Sequence, residues 1–185
     1  MHVISGKYKG MKLQSLNGMN TRPTLTRIKE DAFNILSNYF LFENKKSLDI
    51  FGGSGALTIE GLSRGIQEAW INDISKEAIE VIKINLNKTN NEKYNITNYD
   101  YIFLLQILQS NKQSFDLVYL DPPFAKVESY NQVIDSLLKN KILNKWGVII
   151  LESEVVLEIE LLKEFVLIKH KGYNKKNLYI LRLEK

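Results

Sequence analysis

Beyond residue 46, short apolar runs alternate with longer segments whose apolar positions recur at helical spacing, the mark of a doubly wound α/β sheet. Five runs are expected as strands: Ser47 to Phe51, Ala69 to Asp73, Tyr94 to Asn98, Phe115 to Leu120 and Val148 to Glu152. The clearest helix between them is Ser129 to Asn140, where Tyr130, Val133, Ile134, Leu137 and Leu138 share one face. Lys76 to Asn87 repeats that pattern with Ala78, Ile79, Ile82 and Leu86. Near the end of the chain, Phe165 to His170 and Leu178 to Arg182 are strand-like, and Gly172 and Asn174 between them tolerate positive φ, so a hairpin is expected. The architecture read from this pattern is an α/β fold with an open, mostly parallel sheet of seven strands that ends in an antiparallel pair.

The first 46 residues stand outside the alternation. Residues 3 to 25 mix Val, Ile and Tyr with Gly6, Gly10 and Gly18, which suggests a small hairpin or extended arm. A helix is expected over Arg27 to Leu41, with Ile28, Ala32, Ile35, Leu36, Tyr39 and Phe40 on one face and Thr26 as its N-cap. The chain thus divides into an arm, residues 1–25, and a body, residues 26–185, within one compact domain.

Composition narrows the chemistry. With 185 residues the chain can bury a full core, and with no cysteine and two histidines it argues against disulfides, a thiolate metal site and a histidine-based triad. No stretch approaches the length of a membrane span and no signal-peptide core is visible, so a cytoplasmic protein without a metal is expected. The net charge of +4 is unevenly spread: residues 1–29 hold Lys7, Lys9, Lys12, Arg22, Arg27 and Lys29 and no acid. A second basic cluster comprises Lys169, Lys171, Lys175, Lys176 and Arg182. Two basic patches on a near-neutral body point to a polyanion such as RNA or DNA, against the blander reading of a solvated surface. Lys7, Lys9, Lys12, Arg22, Arg27, Lys175 and Lys176 are the candidate contacts.

The first expected strand runs into Leu48-Asp49-Ile50-Phe51-Gly52-Gly53-Ser54-Gly55-Ala56-Leu57, a glycine-rich turn before a helix that lets backbone approach a ligand. A dinucleotide fold wants a third glycine where Thr58 stands, and Asp49 is a poor neighbour for a pyrophosphate. That carboxylate suits the cationic ammonium of S-adenosylmethionine. Asp73, closing the second strand, is placed to accept from ribose hydroxyls, and Asp100, after the third, can accept from the adenine amine or cap the next helix. Phe51, Gly53, Ser54, Gly55, Ile74 and Tyr101 complete the candidate cofactor set.

The fourth strand delivers Asp121-Pro122-Pro123-Phe124 to the same sheet edge. Two prolines remove two N–H donors and hold the backbone extended. By itself the tetrapeptide is equally a strand stop and a grip for a flat, amine-bearing ring, with Asp121 and the Pro122 carbonyl accepting the amine hydrogens and Phe124 stacking on the ring. Its company with Asp49, Asp73 and Asp100 favours the grip.

These residues resemble the (Asp/Asn)-Pro-Pro-aromatic motif of the amino-methyltransferases. Ile4 to Gly10, Thr21-Arg22-Pro23-Thr24, Arg27 with Lys29-Glu30, Asp49 to Leu57 and Glu60 to Gly65 are together similar to the bacterial 16S ribosomal RNA guanine-N2 methyltransferase family. The resemblance implies a Rossmann-like class I methyltransferase that uses S-adenosylmethionine, leaves S-adenosylhomocysteine, needs no metal, and methylates one guanine of 16S rRNA. Its substrate would be the small ribosomal subunit or a late assembly intermediate, met by a monomer whose basic arm lies near the target base. Chemistry on DNA adenine N6 or a protein glutamine, and a silent RNA-binding assembly factor, are the competing readings. Gly52 for a usual alanine, Thr58 for a frequent glycine, Met11 for arginine, Asp73 for glutamate and Asn174 for glycine depart from the family pattern.

Overall fold

The computed structural model describes residues 1–16, 23–90, 92–123, 127–158 and 162–184. Its elements are α1 (Pro23–Leu36), β1 (Lys46–Asp49), α2 (Ala56–Arg64), β2 (Glu68–Asn72), α3 (Lys76–Leu86), β3 (Lys93–Thr97), α4 (Tyr101–Ser110), β4 (Phe115–Leu120), α5 (Val127–Lys139), β5 (Leu143–Ser153), β6 (Val166–Gly172) and β7 (Asn177–Arg182). One seven-stranded sheet runs in the order β3-β2-β1-β4-β5-β7-β6. The first five strands pair in parallel, whereas β7 lies antiparallel to both β5 and β6. The mostly parallel sheet with its antiparallel pair matches the sequence pattern.

Alternate residues of the strands face opposite layers. Leu117, Tyr119, Val148, Ile150, Leu178 and Ile180 pack with apolar side chains of α1, α2 and α3. Val118, Leu120, Ile149, Leu151, Tyr179 and Leu181 pack with α4 and α5. The chain winds outward from β1 through α2 to β2, and in the other direction from β4 through α5 to β5. The crevice between the carboxyl ends of β1 and β4 is therefore the topological switch point, where ligands bind in such sheets.

Several boundaries differ from the expectations. Helix α1 opens at Pro23, whose fixed φ suits a first turn, so Thr26 lies inside the helix and does not cap it. It also closes at Leu36: Asn38 and Tyr39 bond back only three residues, to Ile35 and Leu36, and Tyr39 is exposed. Strand β1 stops at Asp49 because the chain turns into the glycine loop, and β5 begins early, at Leu143, past a register irregularity opposite Phe115.

The arm is a small hairpin closed by a His2–Lys12 bridge and turned through positive φ at Gly6 and Gly10. It lies on α2. A Cβ on Gly6 would come within 1.9 Å of the Ser63 carbonyl oxygen, so only glycine permits this approach. Glu60 accepts from the Ile4 and Ser5 amides at 2.8 and 3.1 Å, from Lys29 Nζ at 3.1 Å and from Arg64 Nε at 3.0 Å. Val3 and Leu13 of the arm are buried in the same core as α1 and α2. Residues 17–22, including Arg22, lie outside the described residues.

Candidate active site

The carboxyl edge of the sheet gathers a carboxylate from nearly every strand end. At the end of β1 the loop closes tightly: Gly55 N donates to Gly52 O at 2.7 Å, and Gly53 and Gly55 have φ of 55° and 78°. Gly55 is the residue from which α2 starts. A Cβ on Gly53 would meet nothing within 4 Å, so its turn borders open space, whereas a Cβ on Gly52 would approach Ile71 Cγ1 at 2.6 Å. A side chain at 52, where the family pattern has alanine, would thus force Ile71 to shift. Asp73 fastens the turn from outside, accepting from Gly53 N through Oδ2 and from Ser75 N through Oδ1, each at 2.8 Å. Asn85 anchors it from α3 by donating to Ser54 O at 2.9 Å.

Asp49 lies beneath this loop and is buried. Its Oδ2 accepts from Thr58 Oγ1 at 2.8 Å, which gives the unexpected threonine at that position a task. Burial, reinforced by the negative charges of Asp121 and Asp73 and opposed by the bonds from Thr58 and the Phe51 amide, pushes its carboxyl up to about 7. Among the described residues no lysine or arginine forms an ion pair with it. A buried carboxylate with only neutral donors, flanked by two further acids, suits a cationic ligand group.

The remaining members of the candidate cofactor set lie along the same edge. Asn72 clips the neighbouring loop by donating to Ile50 O and Tyr99 O at 3.2 and 3.0 Å and accepting from Tyr99 N at 3.0 Å. Asp100 caps α4, with Oδ1 accepting from Ile102 N at 2.9 Å. Phe51 and Tyr101 bring their rings within 5.7 Å of each other. Ile74 is exposed, as are the nearby Ile102 and Phe103, so an apolar strip adjoins Asp73 and Asp100.

On the other side of the switch point β4 ends at Leu120 and Asp121 follows half-buried, with Pro122 buried and Pro123 exposed. Phe124 lies outside the described residues. Leu120 pairs with Leu151 in β5, so Glu152 stands beside Asp121 at the same level of the edge. Lys176, in the turn between β6 and β7, joins them. Its Nζ donates to Asp121 Oδ1 at 2.7 Å and to Glu152 Oε2 at 3.0 Å. Burial, then the charge of Asp121, raise the Glu152 carboxyl to about 7 against the pull of Lys176. Burial lowers the Lys176 ammonium, but Asp121 and Glu152 together outweigh it and leave its affinity for the proton raised.

This placement corrects one sequence expectation. Lys176 is not turned out toward a polyanion: its side chain is 19% exposed and its ammonium is held between two carboxylates. Glu152 was not anticipated, although a carboxylate closing an otherwise apolar strand is the same signal that singled out Asp73. The other basic candidates divide. Lys7 pairs with Glu92, whereas Lys9, Lys12, Arg27 and Lys175 are exposed. Asp31 of α1 accepts from Lys171 Nζ and Tyr173 Oη, each at 2.6 Å, a tie that was not legible in the sequence. Among the described residues no helix is long and apolar enough to cross a membrane.

Comparison with other proteins gives a consistent picture. Residues 1–182 match the family described as conserved hypothetical protein 95. The ribosomal RNA small subunit methyltransferase D of Buchnera aphidicola from Baizongia pistaciae is 39% identical over 158 residues, covering 83% of this chain and 76% of that protein. A proposed rRNA methyltransferase of Bacillus subtilis, YlbH, is 31% identical over 94% of both chains. Among solved structures, a proposed methyltransferase of Escherichia coli superposes with a TM-score of 0.81 at 23% identity, covering 100% of this chain and 98% of that one, a likeness of fold.

Proposed function

From the chain's membership of the conserved hypothetical protein 95 family, to which it belongs over residues 1–182, we propose that it is an S-adenosylmethionine-dependent rRNA methyltransferase acting on the exocyclic N2 amine of one guanine in 16S rRNA. The relatives' names support rRNA methylation. The observation that carries the site assignment is the meeting of Asp121 with Asp49 and the glycine turn at the β1/β4 switch point. The substrate in this reading is the small subunit or a late assembly intermediate, met in the cytoplasm by a monomer.

The chain's own groups fit the cofactor. Asp49 and Asp73 provide negative charge around a turn that is open at Gly53, suited to a ligand bearing an ammonium and a sulfonium. Asp73 and Asp100 are the acceptors for ribose and adenine, and Phe51, Ile74 and Tyr101 offer apolar surface beside them. When bound, S-adenosylmethionine supplies an electrophilic methyl group on sulfur. Asp121 and the Pro122 carbonyl accept the two amine hydrogens of the target base, which orients the nitrogen lone pair toward that methyl. The Asp121 carboxylate would stabilise the positive charge that nitrogen gains as its bond to the methyl carbon forms and the carbon–sulfur bond breaks, leaving a neutral thioether. The proton then lost from nitrogen passes to Asp121 and on to water, which reaches this half-exposed side chain. Phe124 stacks on the base, and Lys9, Lys12, Arg22, Arg27 and Lys175 meet flanking phosphates, while the paired Lys7 contributes less.

Incubation with labelled S-adenosylmethionine and small subunits lacking the modification is expected to label a single guanine of 16S rRNA. Labelling of DNA or of a protein glutamine in its place overturns the substrate assignment.

A further inference from the structure

Lys176 is a lysine that the proposed chemistry does not use, and yet it is bound directly to the residue on which that chemistry turns. We propose that Lys176 is a positioning residue: anchored on Glu152, its ammonium occupies Oδ1 of Asp121 and leaves Oδ2 presented to the target amine. The inference rests on the reading that Asp121 grips that amine.

Three observations carry it. First, the ammonium is held at two points, 2.7 Å from Asp121 Oδ1 and 3.0 Å from Glu152 Oε2, and Glu152 is itself only 5% exposed. Glu152 is thus an anchor beneath the lysine and Asp121 the group it orients. Second, the turn that carries Lys176 is braced. Tyr173 N donates to Lys176 O at 2.7 Å, and Gly172 pairs with Asn177 across the hairpin. Lys171 and Tyr173 both bind Asp31 and so tie the turn to α1. Third, a carboxylate has two oxygens with about four acceptor positions. With Oδ1 committed to Lys176, Oδ2 is the oxygen that this reading gives to the substrate.

Charge gives the arrangement a second effect. Asp121 has Glu152 on β5 on one side and Asp49 on β1 on the other, and Tyr130 of α5 feels its charge; Glu154 reaches Tyr130, and Tyr173 reaches Glu152. Lys176 is the cation that faces this group from the β6–β7 turn. It offsets the negative charge that Glu152 and Asp121 impose on each other, and so favours a charged Asp121 for the nitrogen that becomes positive. Without it, two neighbouring carboxylates would share a proton and Asp121 would lose part of its charge.

The test compares Lys176→Met, Lys176→Arg and the double variant Lys176→Met/Glu152→Gln in methyl transfer to small subunits across pH 5.5 to 9. Lys176→Met is expected to lower kcat roughly 10- to 100-fold, because a misaligned group costs on this order. The apparent KM for subunits should stay within about twofold of wild type, and the acidic limb of the profile should move to higher pH. Lys176→Arg, which can still bridge two carboxylates, should recover most of kcat. The double variant removes the buried charge left unpaired, so it keeps the test open should Lys176→Met fail to fold; it should keep the low kcat with a smaller shift of the acidic limb. Unchanged kcat in Lys176→Met overturns the inference. So does a raised KM with a shallower salt dependence, which would make Lys176 a phosphate contact after all. Asp121→Asn separates this failure from that of the underlying reading: turnover retained in Asp121→Asn sinks the amine grip itself, whereas an inactive Asp121→Asn beside a fully active Lys176→Met sinks only the role of Lys176.

Discussion

Two buried carboxylates, Glu60 on α2 and Asp49 at the end of β1, meet opposite surroundings. Glu60 is saturated: two amides of the arm, the Lys29 ammonium and the Arg64 guanidinium converge on it. Asp49 receives one hydroxyl and one amide and faces two other acids, and its carboxyl is pushed up to about 7. A carboxylate whose lone pairs are all taken is part of the scaffold. One that is buried beside an open glycine turn and lacks a cation is prepared for a ligand that brings one. The difference separates the region that fixes the arm from the region proposed to do the chemistry.

The sharpest way to break that contrast is to remove one acid from each region. Glu60→Ala leaves Lys29 buried without its partner and is expected to destabilise the fold by about 3–5 kcal/mol, measured by denaturant unfolding. Asp121→Ala is expected to lower methyl transfer by roughly 100- to 1,000-fold with cofactor affinity and melting temperature almost unchanged. If the two substitutions gave the same loss of stability, the division into scaffold and site would be lost.

Asp49→Asn should do the reverse of Glu60→Ala. The folded Asp49 binds a proton up to about 7, while the unfolded carboxyl releases it near 4. Between those values the folded state holds more protons, so stability falls as pH rises through this window. Calorimetry of the cofactor-free protein should show a melting temperature that declines from pH 5 to pH 8, and the decline should flatten in Asp49→Asn. The same substitution should weaken S-adenosylmethionine binding about tenfold or more, since it replaces a charge-assisted hydrogen bond with a neutral one. In the wild-type protein binding should release a proton near neutrality, seen as a heat that varies with buffer.

The smallest effects belong to the arm's surface. Neutralising Lys9 and Lys12 should reduce affinity for the subunit a few-fold and lower the slope of log affinity against log salt by about 0.7 for each phosphate no longer neutralised, the increment for single strands. Lys7, already paired with Glu92, should contribute less than either. Equal effects from all three lysines would show that this ion pair opens on RNA.

How far the sequence carried the description depends on the range of the interaction. The strand runs, the helical faces of α3 and α5 and the C-terminal hairpin were legible because each is a local periodicity that the sheet then buries. The start of α1 was misjudged because Pro23 competes as an opener with the N-cap signal at Thr26. Asp49, Asp73, Asp100 and Asp121 were legible as candidates because parallel strands joined by helices bring every strand end to one edge. Glu152 and Lys176 were not: they meet Asp121 only because β7 inserts antiparallel between β5 and β6, a placement no local pattern specifies.

By itself, then, the sequence determined the layer order and the acidic edge, since apolar periodicity dictates which faces are buried and the alternation dictates where the loops emerge. Tertiary structure alone decided the state of each acid. Glu60 became a saturated buttress, Asp49 a poised and uncompensated carboxyl, and Asp121 the partner of a lysine 55 residues further along the chain. The physical reason is that charge and hydrogen bonding act through space at about 3 Å, between groups whose separation along the chain carries no information about whether they meet.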